Sequence, residues 1–149
     1  MLAIDMELKA LIAKLGDREV PHALCGGLAM AVYGYPRATL DIDLLALRGS
    51  AALIEKTARE IGYTLNAAPM EFADGKVKII KVSKISADAL DVLPLDILTL
   101  VPEIEETIDF EEIEWEESKL RVVSRKSLIR LKQIRGSHQD RADIEKLAS

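Results

Sequence analysis

Apolar residues recur at Ile4, Leu8, Leu11, Ile12 and Leu15. That is the spacing of an amphipathic helix, and it predicts one from Ala3 to about Leu15, stopped by Gly16. The run His22-Ala-Leu-Cys25 is short and apolar and ends in Gly26-Gly27. It reads as a buried strand turning sharply into a helix from Leu28 to about Tyr33, broken by Gly34, Tyr35 and Pro36. Ala38 to Leu47 predicts a strand, and Gly49-Ser50 a turn with Ser50 as N-cap of the next helix. That helix, Ala51 to Ile61, has Leu53, Ile54, Ala58 and Ile61 on one face and Gly62 at its end.

Strands follow at Tyr63 to Leu65, Met70 to Phe72 and Val77 to Ile85, the last two joined by the turn residues Ala73-Asp74-Gly75. Leu90 to Val101 predicts a further strand, with Pro94 as a threat to its continuity. Segment 103–117 reads as a short helix and then an edge strand, and Leu120 to Val123 as another strand. Helices begin at Ser127, with Leu128, Ile129, Leu131 and Ile134, and at about Gln139, running to Leu147; Gly136-Ser137 divides them. Helices interleaved with strands predict an α/β or α+β fold, a mixed sheet with helices packed on it. No repeat or linker divides residues 1–149, so one domain is expected.

Length and composition fit that picture. The chain has 149 residues, 49% hydrophobic and 30% charged, enough to bury a core without staples and too apolar for a disordered chain. No run of 18 apolar residues exists, and the charged N-terminal stretch lacks a signal-peptide core. The single cysteine, Cys25, has no internal disulfide partner, and a reduced, cytoplasmic setting is expected.

Charge adds an asymmetry. The formal net charge is −5, which argues against coating nucleic acid by charge alone. Yet residues 102–118 hold nine acidic and no basic side chains, and residues 119–149 hold nine basic and three acidic. A local electropositive surface for phosphates remains open.

The chemistry concentrates between Cys25 and Leu44. Two glycines at a strand end permit a tight turn and let a phosphate approach backbone N–H groups at the following helix. Asp41 and Asp43 are two residues apart on a strand, so both carboxylates lie on one face while Ile42 and Leu44 point into the core. Two carboxylates in an apolar strand repel and resist burial, and a divalent cation relieves both costs. Oxygen-only ligation suits magnesium. A lone Gly-Gly is an ordinary turn, and a lone Asp-x-Asp an ordinary charged edge. With thirteen residues between Gly27 and Asp41, the combination is far more specific.

This stretch, Cys25-Gly26-Gly27 followed by Asp41-Ile42-Asp43-Leu44, resembles the signature of the nucleotidyltransferase superfamily that includes DNA polymerase beta. Arg37 and Thr39, just before the aspartates, make it similar to the minimal nucleotidyltransferases of abortive-infection toxin systems. The closing helices at about 127–149, with Leu128 to Lys132 and Gln139 to Leu147, resemble that group more loosely. The resemblance implies the nucleotidyltransferase fold and a magnesium-dependent transfer of a nucleoside monophosphate from a nucleoside triphosphate to a hydroxyl. Asp41 and Asp43 would bind two magnesium ions. A third carboxylate would complete the site; Asp96 matches the family pattern better than Asp91. Gly26, Gly27, Arg37, Thr39 and Lys132 would hold the nucleotide, although Arg37 reads equally as a partner for Asp41 and Lys132 also as part of a solvated helix face.

The acceptor implied is RNA, a protein or a small molecule. A partner protein or a homodimer would help hold it, and no membrane is expected. The competing reading is a catalytically weak or inactive module that keeps this fold for binding, as one half of a toxin–antitoxin pair. His22 and His138 have no neighbours at zinc-ligand spacing. Cys25 reads as a packed small hydrophobe. Tyr33 and Tyr35 read as packing residues or base-stacking ones, and Trp115 as an edge-strand residue.

Overall fold

Two short aliphatic strands lie at the centre of the structure, a computed structural model that describes residues 2–36 and 41–149. In β1 (His22–Cys25) and β2 (Ile42–Ala46) all but one residue of each is buried. They pair antiparallel, with Cys25 opposite Asp43. Around them the sheet continues through β3 (Tyr63–Asn66), β4 (Met70–Phe72), β5 (Val77–Ile85), β6 (Val92–Leu100), β7 (Phe110–Trp115) and β8 (Ser118–Val123). The order is β3-β5-β6-β2-β1-β8-β7, with β4 also paired to β5. β2–β6 and β1–β8 are parallel and the other pairings antiparallel, so the sheet is mixed, as the alternation of elements predicts.

Helices cover both faces. α1 (Ile4–Asp17) buries Leu8, Leu11, Ile12 and Leu15, the stripe expected from sequence. Each such side chain taken from water contributes about 1.5–3 kcal/mol. α1 packs with α3 (Ala51–Glu60), and Glu7 of α1 accepts hydrogen bonds from Lys84 and Tyr63 on the sheet. The opposite face carries α5 (Arg125–Arg135) and α6 (His138–Ala148). α2 (Gly26–Val32) follows β1 directly, and a single turn, α4 (Pro102–Glu105), leads into the edge strand β7. Among the described residues no helix is long and apolar enough to cross a membrane.

Three local expectations differ. Ser50 holds the N-cap position of α3, as expected, but its side chain makes no cap: its Oγ donates to the Pro21 carbonyl and accepts from the Leu47 N–H, tying the turn to the start of β1. α5 begins at Arg125, not Ser127, because Ser124 supplies the cap through its Oγ to the Ser127 N–H. The Ser127 hydroxyl is engaged elsewhere, accepting from the Asp109 N–H. Pro94 leaves β6 continuous. The ladder with β2 starts only at Leu95, so the proline sits where the strand is paired on one side alone.

Candidate active site

Register builds the site. Asp43 on β2 stands opposite Cys25 on β1 and opposite Asp96 on β6, and Asp96 stands opposite Lys81 on β5. Ladder partners share a face, so one row runs Cys25, Asp43, Asp96, Lys81 across four strands. Asp41, just before β2, joins it: ligand oxygens of Asp41, Asp43 and Asp96 all lie within 4.8 Å of one another. Ile42 and Leu44 point the other way and are fully buried. The structure thus brings Asp96 beside the two aspartates, whereas Asp91 lies at the far end of the hairpin and accepts from the Leu2 N–H.

Gly26 closes one end. Its φ is +68°, and a Cβ there would stand 2.1 Å from Asp43 Oδ2. A side chain is excluded twice, by conformation and by the carboxylate pressed against the backbone. Gly27 is buried in the first turn of α2. Arg37 and Thr39 lie outside the described residues.

The electrostatics are those of crowded carboxylates. Burial first, then the charges of Asp41 and Asp96, push Asp43 well above the usual carboxylate range, with Arg135 opposing. Asp96 is raised by burial, a shift opposed by Lys81 and reinforced by Asp41. The closeness of the Asp43 and Asp96 carboxyls disfavours ionising both together. Asp96 is 8% exposed, and its buried Oδ1 has no hydrogen-bond partner. The Lys81 ammonium reaches ion-pair distance from it, 3.5 Å, but not hydrogen-bond geometry. Three convergent oxygen donors, one of them orphaned and two reluctant to ionise, fit a hard divalent cation such as magnesium.

Beside the row lies a narrow, partly open cleft, with about 50 Å³ of room for water-sized molecules, walled by Phe72, Ile79 and Leu98 of the sheet and Leu128 and Leu131 of α5. Cys25, Asp43, Lys132 and Arg135 also line it. Burial and the neighbouring Asp43 raise the Cys25 thiol well above its usual range, so it is a packed thiol and not a nucleophile. Lys132 is only 6% exposed, with Nζ 2.9 Å from Asp143 Oδ2 and 3.7 Å from Asp140 Oδ1. It is not on a solvated face; it clamps α5 to α6. Arg135 and the Ser137 capping box hold Asp140 from the other side.

Tyr33 and Tyr35 belong to packing rather than to the cleft. Tyr33 donates to Val123 O and Glu111, and Tyr35 lies under the Arg125 guanidinium, which also reaches Leu147 O. Sequence reasoning did not single out Lys81 or Arg135. Alternation in β5 puts residues 79, 81 and 83 on one face, but only the β5–β6 register shows that Lys81 meets Asp96.

No family model matches the sequence, and no curated protein is detectably similar to it. Solved structures are. TM1012 of Thermotoga maritima, a candidate nucleotidyltransferase, superposes with a TM-score of 0.57 at 16% identity, covering 98% of this chain and 96% of that one. An antigenic nucleotidyltransferase-like protein of Paracoccidioides brasiliensis gives 0.55 at 16% identity, over 97% and 76%. ANT(2″)-Ia, solved in complex with adenylyl-2″-tobramycin, gives 0.56 at 16% identity, over 94% and 84%. At these identities the likeness defines the fold: the chain has the nucleotidyltransferase fold, with an acidic triad at its centre.

Proposed function

We propose that this chain is a nucleotidyltransferase that moves a nucleoside monophosphate from a nucleoside triphosphate to a hydroxyl acceptor. The observation that carries the reading is the meeting of Asp41, Asp43 and Asp96 on one face, with ligand oxygens within 4.8 Å of one another beside the Gly26 turn. These residues would hold two magnesium ions, which when bound lower the pKa of the attacking hydroxyl and neutralise charge on the α-phosphate and the leaving pyrophosphate.

The chain's own residues do the rest. Gly26 and Gly27 remove side chains where the triphosphate must approach backbone N–H groups. Asp96 Oδ1, buried and without a hydrogen-bond partner, receives the proton of the acceptor hydroxyl. Lys132 and Arg135 add positive charge to the cleft lining, with Lys132 acting through the α5–α6 clamp as well as on phosphate. The apolar cleft walls exclude water from the transferring phosphoryl group. Residues 1–149 act as one domain, and α5 and α6 close it. The spacing of Arg37 and Thr39 before the aspartates favours kinship with the minimal nucleotidyltransferases of abortive-infection systems.

The test is transfer of label from α-labelled triphosphates, with magnesium, into RNA, protein or small acceptors, using Asp43→Ala as control. Label transferred by the wild type and lost in the variant is the expected result. No transfer from any of the four triphosphates would overturn the reading in favour of a binding module.

A further inference from the structure

The sheet face that carries the triad is only half covered. Alternate residues of β5 share a face, so Lys81 sets the side on which Ile79, Ser83 and Ile85 stand. Opposite these lie Met70, Leu65 and Val92, which places all three on the triad's face. Near Ile79 and Leu98, α5 roofs the face and makes the cleft. Beyond Lys81 the small Ser83 is buried, but the larger side chains around it stand open. Leu65, Met70, Ile85 and Val92, with Leu90 in the adjoining turn, are 44% to 86% exposed. They account for five of the eight large apolar side chains that the described chain leaves exposed.

The strip is also poor in charge, although its turn carries the exposed carboxylate of Asp88, which accepts from the Leu90 N–H. Residues 61–70, Ile-Gly-Tyr-Thr-Leu-Asn-Ala-Ala-Pro-Met, contain no charged side chain in a chain that is 30% charged. Asp91 is turned to the Leu2 N–H. The cation on the strip, Lys81, is paired with Asp96. An apolar, charge-depleted patch is the composition of a protein–protein interface core. RNA needs a track of lysines and arginines for its phosphates, or aromatic rings for its bases, and the strip offers neither. A membrane surface needs a cationic rim, whereas the exposed charge in the strip's turn is the carboxylate of Asp88.

We infer that the β5–β6 strip is the docking surface for a partner protein that carries the acceptor hydroxyl. This rests on the transferase reading above and names its acceptor class. The strip is continuous with the triad: Ile85 and Val92 form the second rung of the same ladder beyond Lys81 and Asp96 on that face. A partner seated there brings a side-chain hydroxyl to Asp96. Its oxygen bonds to the α-phosphorus of the triphosphate, and the bond from that phosphorus to the pyrophosphate bridging oxygen breaks. Pyrophosphate leaves, and the hydroxyl proton passes to Asp96 Oδ1.

The experiment incubates the full chain with each α-³²P-labelled triphosphate, magnesium and a lysate of the source cells, and then separates RNA, protein and small molecules. The chains compared are wild type, Asp43→Ala, the double variant Leu90→Asp/Val92→Asp, and Leu53→Asp. Leu53 is equally exposed but lies on α3, on the other side of the sheet. The melting temperature of the double variant checks that it folds. The expected result is a labelled polypeptide other than the chain itself, at least tenfold weaker with the double variant, absent with Asp43→Ala and unchanged with Leu53→Asp. Label in RNA or small molecules overturns the protein acceptor and leaves the transferase reading intact. Protein label that survives the double variant overturns the docking surface. A chain that labels only itself, as a dimer dispersed by the double variant, makes the occupant a second copy and overturns the separate partner. No label in any fraction overturns the transferase reading, and this inference with it.

Discussion

Crowding three carboxylates into one partly buried row should make the metal-free protein less stable than a variant that lacks one of them. Asp43→Asn keeps the shape of the side chain and removes its charge. At separations of 4.8 Å or less, each like-charge pair costs about 3.5 kcal/mol or more at an effective dielectric near 20. Asp43 has two such neighbours. The protein limits the cost by keeping a proton, and that escape has its own ceiling. Holding an aspartic acid protonated at pH 7 costs about 1.4 kcal/mol for each pH unit above its unfolded pKa near 3.9, about 4 kcal/mol in all. The variant should therefore gain about 1–4 kcal/mol at pH 7 without metal, a rise of roughly 3–12 °C in melting temperature for a domain of this size.

The pH dependence has a fixed sign. The folded pKa of Asp43 is raised, so between the unfolded and folded pKa the native state binds more protons. Wild-type stability then falls as pH rises through that window, and the advantage of Asp43→Asn should vanish towards pH 4 and grow towards neutrality. Magnesium should raise the wild-type melting temperature and barely move that of the variant. Differential scanning calorimetry in EDTA and in 10 mM magnesium, at pH 4.5 and 7.5, checks all of this. A variant no more stable than wild type in EDTA at pH 7.5, or an advantage that does not change with pH, would refute the reasoning.

Other consequences are as direct. Gly26→Ala should destabilise by about 2–4 kcal/mol and abolish the magnesium shift, since it adds left-handed strain and drives Asp43 aside; Gly16→Ala, with open space around it, is the control, and chemical denaturation measures both. Lys132→Met should cost about 3 kcal/mol or more, because it takes the ammonium from between two buried carboxylates. The cycle with Asp143→Asn should then show strong coupling. Lys81→Met removes the cation that holds Asp96 down, so protons compete with metal to a higher pH. Manganese affinity, followed by calorimetry, should drop near pH 6 and recover towards pH 8, and an unchanged profile would rule out the Lys81–Asp96 pairing.

Legibility from sequence divides along the range of each interaction. Asp41 and Asp43 were visible because period-2 alternation is local, and the α1 stripe because 3.6-residue periodicity is. Asp96 needed the β2–β6 parallel register, a pairing over some fifty residues that no local pattern fixes. A resemblance favoured it over Asp91, and the ladder now puts it directly beside Asp43. Lys81 was missed for the same reason. Lys132 was misjudged as half on a solvated face because its partners, Asp140 and Asp143, stand on a different helix. The start of α5 was misplaced because Ser124 and Ser127 are equally good caps by composition, and only the tertiary contact of Ser127 with Asp109 decides between them.

Cys25 and Asp43 are ladder partners on antiparallel strands, so everything between them is, topologically, the loop of a hairpin. Both ends of that loop are anchored in the buried centre of the sheet, and its two ends carry the two halves of the site, Gly26 and Asp43. The distance from the glycine turn to the carboxylate is therefore set by the β1–β2 ladder itself, with Cys25 opposite Asp43, and not by the residues that join the two strands. For an engineer, the register of this strand pair is the feature to preserve. For evolution, a one-residue slip of either strand would turn the carboxylate away from the turn and end the chemistry.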